Sequence, residues 1–211
     1  MPASTPGDGL EPGPREFRVG ARAYTLRRLG PDDAARLQEF FHSHTRETIQ
    51  LRYGHAVARM TPERAFELVN VDQTRDLALT IVERVGPRDV IHAVGRYYVD
   101  TSGTSGEVAF VVHESCRRRG FATRLMQMLV DTARRRGLTS LWGHVRRDNL
   151  PMLALFRRFG GGPVPGAGSA EPDLAVRMPL GPPAPPARPS PAPPGPPRRR
   201  LRRKPSPTRE V

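Results

Sequence analysis

The fold of this chain is decided by three consecutive stretches: EVAFVV (residues 107–112), HESCRRRGFA (113–122) and TRLMQMLVDTARRR (123–136). In the first stretch, successive side chains point to opposite faces of a strand, so Glu107 lies on one face and Val108 on the other. After Gly120 the apolar period changes to that of a helix. The sequence therefore predicts a buried strand, a short basic loop and an amphipathic helix, whose apolar stripe is formed by Leu125, Met126, Met128, Leu129, Val130, Thr132 and Ala133.

The loop between this strand and this helix is a candidate anion site. Its amides from about Arg118 to Thr123 include the donors that the first turn of a helix leaves unpaired, and the helix dipole favours negative charge there. Gly120 and Ala122 are small enough for a ligand to approach the backbone closely. We expect a phosphate or pyrophosphate, although the pattern by itself fits a tight strand-to-helix connection equally well. The loop lacks the Gly-Lys-Ser/Thr of a P-loop and the three glycines of the dinucleotide fingerprint.

The loop sequence also carries a family resemblance. RRRGFA (117–122) fits the Arg/Gln-x-x-Gly-x-Gly/Ala motif of the GNAT superfamily of acetyl-CoA-dependent N-acetyltransferases, and the match continues through LWGHV (141–145) and Asn149 to Gly160. The chain resembles that superfamily from about Ala23 to Gly160. The resemblance implies the GNAT fold, of class α/β (α+β), with a mixed and largely antiparallel twisted sheet and helices on both faces.

The upstream half resembles a narrower group. FHSHTRET (41–48), Arg52-Tyr53 and VGRY (94–97) are similar to the acetyltransferase domains of bacterial protein lysine acetyltransferases. This resemblance implies transfer of an acetyl group from acetyl-CoA to a primary amine, above all a protein lysine. Two alternatives stay open: N-acetylation of a small-molecule amine, and a non-catalytic acetyl-CoA-binding sensor or adaptor.

Glu107 is the candidate general base. Neutralising a lysine amine of pKa 10.4 at pH 7 costs about 4.6 kcal/mol, so a positioned proton acceptor assists attack on a thioester. Glu107 lies on the central strand, one loop away from the candidate anion site, and the protein-acetylating enzymes carry their catalytic glutamate at this point of the Glu-x-Ala-Phe-x-Val pattern. The alternative is a solvated glutamate at the start of a strand.

The cofactor residues are implied by the same resemblance. Val111 and Val112 correspond to residues whose backbone pairs with the pantetheine arm, and Asn149 corresponds to the asparagine beside that arm. The alternatives are core packing for the valines and a helix N-cap for Asn149. The expected pyrophosphate site comprises Arg117, Arg118, Arg119, Gly120, Phe121, Ala122 and Thr123, mainly through backbone amides, with the arginine side chains either adding charge or simply solvated.

Phe156 departs from the superfamily, which often has a tyrosine there as the acid for the leaving thiolate. Phenylalanine has no proton to give, so we expect Phe156 to be a packing residue and solvent or another group to protonate the thiolate. Tyr97 and Tyr98 are the alternative donors. Cys116 stands beside three arginines with no histidine partner evident in the sequence, so we expect an incidental thiol. We expect no metal site, because His42 and His44 are two residues apart and face different directions on a helix.

Composition predicts one domain with unstructured ends. The 211 residues carry a net charge of +13, 24 prolines and 20 glycines. We expect a disordered segment over residues 1–16, the acetyltransferase domain over 17–180, and a disordered Pro/Arg-rich tail over 181–211. The basic run in that tail could bind nucleic acid. The sequence has one cysteine, has no apolar run long enough to span a bilayer and does not begin with the pattern of a signal peptide. We therefore expect a cytoplasmic protein.

The remaining elements are predicted from local signals. Thr61-Pro62 marks a helix start, and Pro31 marks another. Strands are expected over 23–29, 76–83, 90–99 and 173–178, with a turn over 86–89 and a helix over 45–55.

Overall fold

The computed structural model describes residues 12–53, 59–165 and 172–181, and for 51–53 it describes the backbone alone. The strands are β1 (Arg15–Val19), β2 (Arg22–Arg28), β3 (Leu77–Val85), β4 (Arg88–Val99), β5 (Ser105–Val112), β6 (Ser140–Arg146), β7 (Gly162–Pro163) and β8 (Asp173–Pro179). The helices are α1 (Ala34–His42), α2 (Arg46–Tyr53), α3 (Pro62–Val69), α4 (Phe121–Arg135) and α5 (Leu150–Arg158).

One sheet contains all of these strands, in the order β1-β2-β3-β4-β5-β6-β8-β7. Every strand pair in it is antiparallel except β5 with β6, which run parallel. A parallel pair needs a crossover, and α4 supplies it. The sheet is therefore mixed and largely antiparallel, as the resemblance implied.

Helices cover the sheet on both faces. The apolar stripe of α4 packs with Leu155 and Phe156 of α5 on one face, where Val108 and Phe110 of β5 belong to the same core. On the other face α1 and α3 pack over the β2–β4 half, and Val111 belongs to that second core. The alternation predicted for residues 107–112 is confirmed, because neighbouring residues of β5 enter different cores. All seven residues of the predicted α4 stripe are buried.

The helix and turn signals are confirmed with small changes of boundary. Thr61 caps α3 by accepting a hydrogen bond from the Arg64 amide at 3.2 Å, and Pro62 follows at the first helical position. The β3–β4 hairpin is tighter than predicted, since Val85 already pairs with Arg88. Gly86 has φ +58° there, a backbone angle that favours glycine. The helix predicted over 45–55 ends at Tyr53 as α2, with residues 54–55 outside the described part.

The predicted start of the domain at residue 17 is wrong by two residues. Arg15 and Glu16 lie in β1 and pair with Leu26 and Thr25 of β2. The sequence signal for β1 was weak because only two of the five residues of this edge strand are apolar. What holds the strand is long-range: Phe17 stacks on the Tyr24 ring at a centroid distance of 5.6 Å.

The predicted disordered ends lie almost wholly outside the described residues, which begin at 12 and end at 181. The predicted basic tail with its nucleic-acid partner therefore stays a prediction. Within the described ranges, none of the helices combines the length and the apolar character needed to cross a membrane.

Candidate active site

The two parallel strands at the centre of the sheet separate after three paired positions. Ser105, Gly106 and Glu107 of β5 pair with Ser140, Leu141 and Trp142 of β6. Beyond Glu107, the pairing among the described residues joins β5 to β4 alone and β6 to β8 alone. The edge of β5 that faces β6 is therefore open beyond this point, and we call the opening the β5–β6 split. An extended ligand can add to such an edge as a strand does.

A glycine lets the two strands stay close at the start of the split. A Cβ atom on Gly143 would lie 3.1 Å from the Val108 carbonyl oxygen and 3.6 Å from Cζ of Phe156. Phe156 is buried in the core beneath this point, with 2% of its surface exposed. The prediction that Phe156 is a packing residue is confirmed.

A cleft of about 880 Å³ runs from the split to the N-terminus of α4. Most residues predicted for cofactor binding line it: Val111, Val112, Arg117, Arg118, Gly120, Phe121, Ala122, Thr123 and Asn149. Arg119, also predicted, is exposed and does not line the cleft. Glu107 does not line it either, and stands at the point where the split begins.

The N-terminus of α4 offers unpaired donors to the cleft. Gly120 precedes the helix with φ +80°, and Arg118 has φ +59°, a rare angle for a residue with a side chain. Arg124 is the first helical residue whose amide donates along the helix, to the Gly120 carbonyl at 3.0 Å. Within the described part of the chain, the amides of Phe121, Ala122 and Thr123 have no acceptor. These amides and the helix dipole together suit a phosphate group.

The predicted roles of two cofactor residues are confined to their backbones. The Phe121 side chain is buried and contacts the Tyr24 ring edge-on at a centroid distance of 4.9 Å. The Val111 side chain lies in the core beneath α1 and α3. Only the main chain of these residues can face a ligand in the cleft.

The Arg117 side chain is half exposed and is also bound to the protein itself. One of its terminal nitrogens donates to the Thr48 hydroxyl at 2.6 Å and lies 3.9 Å from the Glu114 carboxylate. Thr48 belongs to α2, whose residues also line the cleft. Sequence reasoning missed several lining residues, because nothing in the pattern connects α2 or the end of β6 with the loop: Glu47, Thr48, Gln50, Arg146, Asp148 and Arg158.

Glu114 fastens α2 to the loop after β5. Its Oε1 accepts hydrogen bonds from the Thr45 amide at 3.0 Å and the Thr45 hydroxyl at 3.1 Å, and its Oε2 lies 3.2 Å from Nδ1 of His44. Burial raises the pKa of the Glu114 carboxyl, but hydrogen bonds from Thr48, the backbone and His44 outweigh it and hold that pKa well below its usual range. Burial lowers the pKa of His44, against the opposing effect of Glu114.

His44 belongs to a cluster of potential metal ligands. The other members of this cluster are His113 and Glu114, and His42 is not one of them. Each of the three residues brings one potential ligand atom, and these atoms lie within 4.8 Å of one another. The separation of His42 and His44 in sequence gave no information about this cluster. Because the Glu114 oxygens already accept from the chain's own donors, the contacts of the cluster are explained by the link between α2 and the loop.

Glu107 lies on the face of the sheet that carries Ala109 and Val111, opposite the α4 face. The Glu107 side chain is exposed and makes no hydrogen bond or ion pair with any other described residue. Its antiparallel partner is Tyr98, whose hydroxyl accepts a hydrogen bond from Nη1 of Arg96 at 2.9 Å. A carboxylate in this position is free to take a proton from a bound amine.

The two alternative proton donors occupy different environments. Tyr97 is fully buried in the α4 core, where its hydroxyl accepts a hydrogen bond from Arg136 at 2.9 Å. Tyr98 is 37% exposed and shares the face of Glu107. The structure therefore removes Tyr97 from the site and leaves Tyr98 near it.

Asn149 has the capping role that one of its two predicted interpretations gave it. Its Oδ1 accepts a hydrogen bond from the Met152 amide at 3.2 Å and so caps α5. The same residue lines the cleft. Capping fixes the side chain at the edge of the split.

The expectation that Cys116 has no histidine partner is wrong. The thiol is buried, and Sγ lies 3.5 Å from Nδ1 of His92. The two residues are 24 positions apart and come together only through the pairing of β4 with β5, so local sequence could not reveal the contact.

The comparisons with known proteins agree with this geometry. The model of the acetyltransferase (GNAT) family matches residues 40–161, more than half of the chain. This chain belongs to that family. This GNAT acetyltransferase is also similar in fold to the GNAT domain of PAT from S. lividans, with a TM-score of 0.67 and 22% identity over 78% of this chain and 97% of that one.

Two structures with bound cofactor share the fold. A putative acetyltransferase from Salmonella typhimurium, solved with its cofactor acetyl-CoA, gives a TM-score of 0.55 at 18% identity, covering 74% of this chain and 94% of that one. Spermidine N-acetyltransferase from Vibrio cholerae, in complex with CoA and spermine, gives a TM-score of 0.59 at 14% identity, covering 74% of this chain and 95% of that one. Acetyl-CoA is the co-substrate of the family, and the open edge of β5 and the free amides of α4 fit its arm and its phosphates.

Proposed function

We propose that this GNAT acetyltransferase transfers an acetyl group from acetyl-CoA to a protein lysine by direct attack, with Glu107 as general base. The observation that carries the proposal is the position of Glu107 at the start of the split, whose far end reaches the free amides of α4. Val112 lies five residue steps along the strand from Glu107, a length of about 17 Å. A ligand held by its phosphates at α4 and extended along β5 would present its far end to Glu107.

The chain's own residues hold the cofactor in this proposal. The amides of Phe121, Ala122 and Thr123 bind the pyrophosphate, and the exposed Arg118 beside them adds positive charge. The main chain of Val111 and Val112 bonds the arm along the open edge of β5. Asn149 closes the opposite side of the split.

Glu107 takes the proton that an amine must lose before it can attack. Bound acetyl-CoA supplies an activated thioester, and general-base catalysis of this kind contributes about 10²–10⁴ in rate. The Glu107 side chain makes no hydrogen bond or ion pair with other described residues that it would have to break first. In this proposal Tyr98, which lies on the same face and is hydrogen-bonded by Arg96, protonates the leaving thiolate, because Phe156 has no hydroxyl to do so.

The open face around Glu107 favours a protein acceptor over a small one. Tyr98, His144 and Arg177 are all exposed on this face, while α1 and α3 pack over the β2–β4 half of the sheet. The side chain of a folded protein can reach an uncovered sheet face, whereas small ligands are usually bound in enclosed pockets.

The test is transfer of a radiolabelled acetyl group from acetyl-CoA to two panels, one of lysine-containing proteins and one of polyamines and other small amines. We expect label on the proteins together with release of free CoA thiol, and loss of both in Glu107→Gln. Label on the small amines alone would contradict the protein acceptor. Binding of acetyl-CoA without thiol release for any acceptor would instead support the non-catalytic sensor. That function is the one favoured by the absence of a tyrosine at position 156.

A further inference from the structure

Cys116 lies in a cluster of three side chains from separate parts of the sequence. It ends the short turn Glu114–Cys116 directly before the loop at residues 117–120, and it lines the cleft while only 3% of its surface is exposed. Its Sγ lies 3.5 Å from Nδ1 of His92 on β4. Nε2 of the same imidazole lies 2.9 Å from Oε2 of Glu83 on β3. We call this set the Cys116–His92–Glu83 cluster.

The contacts of the imidazole determine its tautomer. An ionised carboxylate only accepts hydrogen bonds, so the proton on His92 belongs on Nε2, facing Glu83. Nδ1 then carries a lone pair directed at the thiol. The ring is held edge-on to Tyr24 at a centroid distance of 5.6 Å, and Glu83 is fixed in turn by Arg22 at 3.3 Å.

The surroundings keep this imidazole neutral. Burial lowers the pKa of His92, the Glu83 carboxylate opposes that effect, and the neighbouring charges of His113 and Arg22 add to the lowering. A neutral imidazole at neutral pH can accept the thiol proton. A nucleophile within hydrogen-bond reach of a base, which a third group orients, is the arrangement that activates cysteine thiols.

We propose that Cys116 is an oxidation site for small hydroperoxides, with His92 as the base and Glu83 as the group that orients it. The thiol proton moves to Nδ1 of His92, and the thiolate attacks the peroxide. An S–O bond forms, the O–O bond breaks, and the departing hydroxide (or alkoxide, from an alkyl hydroperoxide) takes the proton from His92 to leave as water (or alcohol). The sulfur is oxidised to sulfenic acid and the peroxide is reduced.

The position of the cluster selects this reagent class. Cys116 stands at the α4 end of the cleft, whereas an acetyl thioester would be at the Glu107 end, so acyl transfer to this thiol is not expected. With 3% of the residue exposed, only a small reagent entering by the cleft can reach the sulfur. Hydrogen peroxide and short alkyl hydroperoxides meet that requirement.

The experiment measures the rate of sulfenic acid formation at Cys116 in the full chain without cofactor. At timed intervals the peroxide is removed with catalase, the chain is unfolded in urea that contains dimedone so that the buried sulfur becomes accessible to the trap, and the adduct is quantified by mass spectrometry. His92→Gln removes the base, and we expect the rate at pH 7 to fall at least about tenfold. The control is His144→Gln, which alters an exposed histidine on the far side of the split and should leave the rate unchanged. Equal rates for wild type and His92→Gln would overturn the proposal.

A measurement on the wild type keeps the proposal testable if His92→Gln does not fold. An unassisted thiol of pKa about 8.5 should react about 50 times faster at pH 8.5 than at pH 6.5, in proportion to its thiolate. With the proton passed to His92, we expect that ratio to be no more than about fivefold. A ratio near 50 would contradict the role of the cluster.

Discussion

Glu107 and Trp142 form the last pair of the parallel ladder between β5 and β6. The carboxylate therefore stands where the two strands begin to separate, on the exposed face of the sheet. A carboxylate two residues further along β5 would keep the same face but lie inside the split. A carboxylate one residue earlier would face the opposite core. The register of this short ladder fixes the candidate base relative to the open edge.

The first prediction concerns the carboxylate itself. Glu107→Gln keeps the shape of the side chain but removes its basicity, so kcat should fall about 10²- to 10⁴-fold. The Kd for acetyl-CoA should stay nearly constant, because Glu107 does not line the cleft. The control Glu67→Gln, an exposed change on α3, should alter neither quantity. Steady-state kinetics with calorimetric titration would check this, and an unchanged kcat would exclude Glu107 as the base.

A second prediction separates backbone strain from cofactor binding. Gly120 (φ +80°) and Gly86 (φ +58°) both have positive φ, and a Cβ at either would meet no atom within 4 Å. Each change to alanine should cost about 1–2 kcal/mol of unfolding free energy, measured by urea titration. Only Gly120→Ala should also weaken acetyl-CoA binding, because it shifts the free amides of α4. Equal affinities in the two variants would show that these amides do not hold the cofactor.

The third prediction tests the start of the split. Gly143→Ala places a Cβ 3.1 Å from the Val108 carbonyl oxygen, so β5 and β6 must move apart. We expect a loss of about 1–3 kcal/mol in unfolding free energy and a lower kcat. Gly162→Ala, on β7 with no atom within 4 Å of the added Cβ, is the matched control. If both variants keep full activity, the spacing of the strands at Gly143 does not matter for catalysis.

The fourth prediction concerns stability against pH. The pKa of His44 is lowered in the folded protein, so as pH falls below about 6.5 the unfolded chain binds the proton first and stability declines. The pKa of Glu114 is also lowered, so its contribution is present above about pH 4.3 and is lost on further acidification. Asp33 acts in the same direction as Glu114.

Urea unfolding between pH 7 and pH 3 measures both losses of stability, the one from His44 below about pH 6.5 and the one from the carboxyls below about pH 4.3. Glu114→Gln should cost about 1–2 kcal/mol at pH 7, because charged hydrogen bonds to Thr45 are lost. It should also flatten the decline below about pH 4.3, leaving the part that Asp33 and the other carboxyls with lowered pKa contribute. An unchanged slope in this range would mean that Glu114 does not link α2 to the loop.

The sequence was sufficient where the signal is local and periodic. The α4 stripe, the Thr61 cap and the alternation along β5 each follow from side-chain spacing, and the loop motif at 117–122 identified most of one cleft wall. Strand β1 was missed because two apolar residues in five make no clear pattern, and its stability comes from the contact of Phe17 with Tyr24.

Contacts between distant segments could not be predicted. The Cys116–His92–Glu83 cluster depends on three adjacent strands, and the link of Glu114 to His44 joins positions 70 residues apart. The lining residues of α2 were missed for the same reason. Each of these requires the register of the sheet, which no single stretch of sequence contains.

A crystal structure with CoA would show whether the cofactor lies in the β5–β6 split with its pyrophosphate on α4. We expect phosphate oxygens within about 3.0 Å of the amide nitrogens of Ala122 and Thr123, with the thiol end of the arm beside Glu107. CoA density away from the split, or an empty split in crystals saturated with CoA, would contradict it.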